Sequence, residues 1–426
     1  MGDVRCEGER GAAVADPIPI KGTYIGGGRP IATPDLVAWL LEHGRSIEQI
    51  AAFVDELCWR TVATGLPLWR VTLHTATLHP QIGGVGCRWW RDRGITEEFT
   101  ITIGAEESPD FLSSPLRDSV LNGEVARFRL AAMQGREYPM LGRLREAGAT
   151  DYLALPLFRL LDRYPVATWA TDATGGFTDD HIARLSALVP PLGAVIEARL
   201  RRRIARDLLD TYLGRQAGQR VLAGQIRRGR GERARAVIMA SDLRGSTALS
   251  DHLPPDEMIE LLDAYFERVA EPVQAHGGDV LKFLGDGVLA IFPVDELGER
   301  GAAAAALQAA TETLAGLATF SQALECRDRP PLRAGIGLHL GDVFYGNVGA
   351  PSRLDFTVIG PAVNLAFRIE SMTKELGCPL LASRAFARAI PTPMVSLGTY
   401  PLRGIAESEE LFGPSLASPE AALVEP

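Results

Sequence analysis

Long apolar runs, paired cysteines and an apolar leader are all missing from this 426-residue chain. No stretch reaches the roughly 18 apolar residues that a membrane-crossing helix requires, so no span is expected. The alanine tract Ala302–Ala306 is far shorter and falls within a helical pattern. The first residues carry Asp3, Glu7 and Glu9 and no apolar stretch, which argues against a secretory signal. Cys6, Cys58, Cys87, Cys326 and Cys378 show no CxxC spacing. A structural zinc and a disulfide framework are therefore not expected, and a reducing cytoplasm is the natural compartment. A net charge of −9 argues against a general nucleic-acid binder. Lysine is absent between Arg199 and Arg235, where twelve arginines stand. That segment reads as a solvated helix and linker, with no membrane or nucleic-acid contact expected.

What is present is the composition of an ordinary globular protein, 46% apolar and 23% charged, long enough for two cores. Residues 1–32 are Gly- and Pro-rich and read as a loose arm. Helical spacing covers Leu36–Thr64, followed by strand-like runs at Leu68–Leu73, Gly86–Trp90, Glu98–Ile103, Tyr152–Leu157 and Val166–Thr171. Thr178 is a plausible N-cap for a closing helix, which Pro190 and Pro191 should kink or divide. Strands framed by an opening and a closing helix suggest an α+β sensory module over 33–195. The tryptophans of this region, with His74 and His79, read as a packed aromatic core and stray surface histidines rather than a ligand pocket. Beyond it Ile196, Leu200, Ile204, Leu208 and Tyr212 form an i, i+4 stripe, which suits a dimerising connector over 196–232. Residues 224–232 read as a basic, glycine-punctuated linker.

The second domain, 233–413, alternates regularly. A strand at Ala236–Ala240 leads to a helix at Asp256–Val269, a hairpin over Val280–Phe292 and a helix over Arg300–Leu324. Strands at Arg333–Leu340, Val343–Val348 and Phe356–Ile359 follow, then a helix from Pro361, with a short tail over 414–426. The β-α-β-β-α-β order is ferredoxin-like.

Two strand ends carry carboxylates. Asp242 ends the first strand, and Asp286 sits in the hairpin turn Gly285-Asp286-Gly287. Leu243-Arg244-Gly245-Ser246-Thr247 follows the first aspartate, a short loop whose backbone N–H groups can cradle phosphates. Magnesium takes one or two carboxylates together with substrate phosphates, so Asp242 and Asp286 are the metal candidates. Asn364 and Arg368 lie one turn apart on an otherwise apolar helix. Arginine there can stabilise phosphate charge and asparagine can orient a ribose oxygen. Lys282, between Leu281 and Phe283, either snorkels or meets a polar ligand group. Thr357, in Phe356-Thr357-Val358-Ile359, says little alone.

The segments Ser241–Thr247, Lys282–Gly287 and Thr357–Arg368 together closely resemble class III nucleotide cyclases, over about residues 233–413. The resemblance implies an α+β architecture: a ferredoxin-like catalytic domain that makes a 3′,5′-cyclic nucleotide and pyrophosphate from a nucleoside triphosphate. It implies two Mg2+ (or Mn2+) ions per active site, held by Asp242, Asp286 and the Leu243 backbone. Lys282 and Thr357 match the purine-selecting pair in its adenine form, which makes ATP the expected substrate. Asn364 and Arg368 match the transition-state pair, and Arg403 falls where the family has a triphosphate-binding lysine. The metal and purine half-sites belong to opposite partners in that family, so a homodimer with composite sites is implied. A GAF-type domain over 33–195, regulated by a small molecule or protein, is implied by a fainter resemblance. The sequence departs from the family at Ser246, where phenylalanine is usual, and at Met239-Ala240-Ser241, which also lacks one. A silent nucleotide-binding module and a guanylate cyclase are the alternative readings.

Overall fold

In a computed structural model of the protein, the residues described are 20–29, 31–33, 35–133, 138–326 and 329–414, the side chains of Ile20, Lys21 and Glu296 excepted. The chain divides between Leu208 and Leu209 into two compact units. The division falls inside the segment expected to be the connector.

The first unit is a seven-stranded antiparallel sheet. Its strands are β1 (Ile20–Ile25), β2 (Arg70–Ala76), β3 (Ile82–Trp90), β4 (Ile95–Thr102), β5 (Ala126–Arg129), β6 (Asp151–Pro156) and β7 (Val166–Thr171), in the spatial order β1-β4-β3-β2-β7-β6-β5. Strand β1 corrects the expectation of a loose arm up to residue 32: residues 20–25 pair along β4, while residues 1–19 lie outside those described. One face of the sheet carries Val71, Leu73, Trp89, Leu153 and Trp169 against Trp39, Phe53, Leu57 and the first half of the helix Asp179–Leu213. The expected helix over 36–64 is two helices, Leu36–Glu42 and Ile50–Ala63. Asp35 caps the first, accepting from the Val37 and Ala38 N–H groups at 2.9 and 3.0 Å. Gly44 follows the first helix and lies close against the Phe53 and Trp39 rings, where a Cβ would stand 3.2 Å from Phe53.

The helix Asp179–Leu213 begins as expected, with Thr178 Oγ1 accepting from the His181 N–H at 3.2 Å. It is not divided at Pro190 and Pro191. The carbonyls these prolines leave without donors belong to Ser186 and Ala187, which are exposed and solvated. Of the apolar stripe, Ile196 and Leu200 are buried, Ile196 within the core of the first unit, whereas Tyr212 is exposed. The expected linker is partly structured: a helix over Arg215–Leu222 precedes it, and its end already belongs to β8.

The second unit builds one mixed sheet from β8 (Gly231–Leu243), β9 (Asp279–Leu284), β10 (Gly287–Pro293), β11 (Ala334–Ala350), β12 (Arg353–Ile359), β13 (Leu380–Ser383), β14 (Met394–Tyr400) and β15 (Glu409–Pro414). The order β11-β8-β10-β9 is the ferredoxin-like 4-1-3-2 arrangement of an α+β domain, antiparallel throughout. The two strands expected over 333–348 are one strand, β11, whose Gly341 and Asp342 continue the ladder with β8.

Alternation along β8 divides its side chains between two cores. Val237, Met239 and Leu243 pack under the helices Pro255–Ala275 and Val294–Glu325, with Tyr265 and Phe292 fully buried there. Ala236, Ile238 and Ala240 face the helix Pro361–Glu375 through Ala362, Val363 and Ala366. That helix lies close on the sheet because β11 carries Gly337. A Cβ there would stand 2.5 Å from the Ala366 carbonyl and the Glu370 nitrogen.

Candidate active site

The register of the second sheet brings the two expected aspartates together. Asp242 stands opposite Gly287 on β10, one residue past Asp286 in the β9–β10 turn. The turn is tight because Gly285 takes a left-handed φ of 67°. The Asp286 carbonyl accepts from the Leu243 N–H at 3.3 Å, which ties the hairpin tip to the end of β8. Burial pushes the Asp242 carboxyl above its ordinary range, and the charge of Asp286 adds to the shift. A partly buried carboxylate raised by the charge of a neighbouring one is relieved by a cation shared between them, so the donor set fits a hard divalent ion. Among the described residues no three His, Cys, Asp or Glu side chains gather as a cation site. The remaining oxygen ligands would come from backbone, water or substrate.

The phosphate loop is narrower than expected. Leu243 N–H is engaged by Asp286, and Arg244 N–H donates to the Arg333 carbonyl at 2.7 Å. Their backbone donors are thus committed to the fold, and the donors open to phosphate start at Gly245, Ser246 and Thr247. Gly245 has φ 73° and precedes the short helix Ser246–His252. The Ser246 hydroxyl donates to the Asp286 carboxylate. The Arg244 side chain turns back to Glu370, with Nη2 3.5 Å from Oε1. Glu370 is buried on the helix Pro361–Glu375, and its carboxyl is pushed up to about 7, by burial first and by Asp242 and Asp286 as well.

A second group forms at the other end of the hairpin. Lys282 Nζ lies 2.8 Å from Asp355 Oδ2, joining β9 to β12. Thr357 is buried two residues further on the same face of β12. Asn364 and Arg368 are both exposed, and among the described residues neither side chain makes a hydrogen bond or ion pair. Both side chains face solvent. Arg403 is exposed in the turn between β14 and β15; its neighbour Leu402 packs on Ile369 and Met372.

Residues 231–380 match the family model of the adenylate and guanylate cyclase catalytic domain. Residues 231–380 thus form an adenylate and guanylate cyclase catalytic domain. An adenylate cyclase of Anabaena cylindrica is 33% identical to it over 183 residues, 42% of this chain and 34% of that protein. Adenylate cyclase 1 of Rhizobium meliloti is 34% identical over 153 residues, 36% of this chain and 23% of that protein. The chain thus spans well under half the length of these curated relatives. The crystal structure of the adenylyl cyclase CyaB from P. aeruginosa is 26% identical, with a TM-score of 0.41, covering 45% of this chain and 98% of that one.

Three contacts of this cyclase domain, those of Asp355, Glu370 and the Ser241–Tyr265 pair, are absent from the sequence-based expectations. Asp355 was detectable, since period-2 alternation puts it beside Thr357. Glu370 lies six residues beyond Asn364 and has no signal of its own, because a glutamate in a helix is ordinary. The buried pair Ser241 Oγ and Tyr265 Oη, 2.7 Å apart, depends on tertiary packing. It anchors the strand immediately before Asp242.

Proposed function

We propose that this protein is an adenylate cyclase that converts ATP to 3′,5′-cyclic AMP and pyrophosphate at composite sites of a homodimer. The observation that carries this reading is the division of the site residues on one chain. Asp242 and Asp286 converge, while Asn364 and Arg368 face outward with nothing to bind. Phe283, Leu284 and Ile359 flank these half-sites and are 52%, 47% and 46% exposed. Large apolar side chains beside unpartnered polar ones are what a second subunit would cover.

Divalent cations, Mg2+ or Mn2+, would supply charge neutralisation and activation of the ribose 3′-hydroxyl when bound by Asp242, Asp286 and the Leu243 carbonyl. The first-turn N–H groups beyond Gly245 receive phosphate oxygens. The partner's copy of Arg368 stabilises charge on the α-phosphate as the 3′-oxygen attacks and pyrophosphate departs, and the partner's copy of Asn364 orients the ribose. Arg403 adds positive charge for the triphosphate. Lys282, held by Asp355, donates to an adenine ring nitrogen, and Thr357 accepts from the exocyclic amine. The first unit is read as a GAF-type regulatory module acting in the cytoplasm.

Product identification with purified protein, ATP or GTP, and Mg2+ or Mn2+ tests this reading. Cyclic AMP as the main product supports it. Faster turnover of GTP favours the guanylate reading, and nucleotide binding without turnover favours the silent module.

A further inference from the structure

The sheet of the first unit holds a buried cation, Arg70, that makes no ion pair with a carboxylate among the described residues. Alternation and register place Arg70 and Thr72 of β2 on one face with Arg88 and Trp90 of β3: Arg70 pairs with Trp90, and Thr72 with Arg88. This is the face away from the opening and closing helices. Arg70 is 9% exposed, and among the described residues its Nε has no hydrogen-bond partner. Its guanidinium lies 4.9 Å from the Trp90 ring, and the Tyr152 hydroxyl and Glu97 act on its charge without a hydrogen bond or ion pair to it. Arg93 lies over the same ring at 4.3 Å. Among the described residues only Glu97 forms an ion pair with one of these three arginines, Arg88 at 3.5 Å.

Donors as well as charge are left over. Thr72 Oγ1, Arg88 Nε and Trp90 Nε1, like Arg70 Nε, are buried without hydrogen-bond partners among the described residues. Four unanswered donors in one patch exceed what a folded interior ordinarily tolerates. Burial and then Arg88 bring the Arg70 guanidinium down to about 10, which leaves it charged at neutral pH. His74, next on this face of β2, is pushed down to about 3 by burial and both arginines, so it is neutral. It is partly buried rather than a stray surface histidine, edge-on to Phe99 at 5.6 Å. Arg88 and Arg93 reach the surface, so the patch lies about one side chain deep.

We propose that this patch binds a small oxyanion, a phosphate or carboxylate group, with Arg70 as its bidentate anchor and Thr72 and Arg88 as flanking donors. The anion supplies the acceptors that the fold withholds, and it would be the ligand through which the first unit is regulated.

The test uses the full chain in EDTA at constant ionic strength. Melting midpoints are read against sodium phosphate and sodium succinate, with sodium chloride as the reference. One anion should raise the midpoint by roughly 2–4 °C at tenfold over its dissociation constant, and which one does so identifies the source of the oxyanion. Arg70→Gln should abolish the rise, whereas Arg117→Gln, an exposed arginine paired with Asp118, should keep it. Asp286→Asn should also keep it, which separates this patch from the nucleotide site. If Arg70→Gln does not fold, Thr72→Val takes its place and should weaken the anion at least about fivefold. No rise beyond chloride overturns the proposal, as does a rise that survives Arg70→Gln, or Thr72→Val where that variant is used.

Discussion

Gly335 stands opposite Asp242 across β11 and β8, and the space left by its missing side chain is filled by Arg244. A Cβ at Gly335 would lie 2.1 Å from Arg244 Nη2 and 2.2 Å from Thr373 Oγ1. The glycine therefore leaves room for the Arg244–Glu370 contact beside Asp242. Gly335→Ala should expel the guanidinium and destabilise the second unit by about 1–3 kcal/mol, the usual range for overpacking. Turnover should fall at least tenfold, and thermal melting alongside a steady-state assay would register both effects. Wild-type turnover in this variant would mean that Arg244 needs no fixed position.

Ser246 makes a different link, since its hydroxyl donates to Asp286 where the family more often has phenylalanine. Ser246→Ala removes one hydrogen bond to a charged acceptor, an effect of about 1.5 kcal/mol. The metal concentration for half-maximal turnover should change several-fold with little change in melting temperature. A titration with Mn2+ reads this directly. An unchanged midpoint would confine the contact to a structural role.

The Lys282–Asp355 pair is partly solvated, with side chains 27% and 53% exposed. Exposed pairs contribute only about 0–1 kcal/mol to folding, so its work lies in positioning the ammonium. Asp355→Ala should leave the melting temperature within a degree or two, raise KM for ATP several-fold and reduce the preference for ATP over GTP. Initial rates with both nucleotides measure the ratio. An unaltered ratio would separate Lys282 from purine selection.

Much of this was legible in the chain. Asp242 and Asp286 announce themselves because each follows an apolar strand and a turn glycine aligns them. Asn364 and Arg368 stand out as polar residues one turn apart on an apolar helix. The ferredoxin-like order follows from the alternation of periods over residues 236–369. Other features were hidden for physical reasons. Pro190 and Pro191 suggested a kink or a break, but the residues whose carbonyls they free, Ser186 and Ala187, are exposed. Gly44 looked like an ordinary residue in a helical pattern, yet it lies outside the first helix, against the Phe53 ring nine residues on. Residues 333–348 read as two strands because Gly341-Asp342 resembles a turn. Pairing with Ala236 and Arg235 keeps them extended. Contacts such as Arg244–Glu370 join segments more than a hundred residues apart and leave no local pattern.

Acidity should reveal the junction at the base of β9. Asp279 is buried, and burial pushes its carboxyl up to about 6, while the neighbouring Tyr345 hydroxyl and Arg215 and Arg220 oppose the shift. The folded state therefore holds this proton more tightly than the unfolded chain, whose value lies near 3.8. Stability from this group is fully present below the unfolded value and is lost as pH rises from about 4 to about 6. Asp279→Asn should remove that slope and gain on the order of 2 kcal/mol at pH 7. Denaturant unfolding of both proteins at pH 4.5 and pH 7 provides the comparison. Equal slopes would show that Asp279 does not titrate in this window.

The division of each site between two subunits is tested most directly by complementation. Asp286→Asn and Arg368→Ala each disable one half-site, so neither homodimer should turn over ATP. Co-expressed in equal amounts, they should recover about one quarter of wild-type activity, because half of the dimers are mixed and each mixed dimer holds one intact site. Activity no greater than that of the separate variants, or full activity in either one alone, would contradict the account.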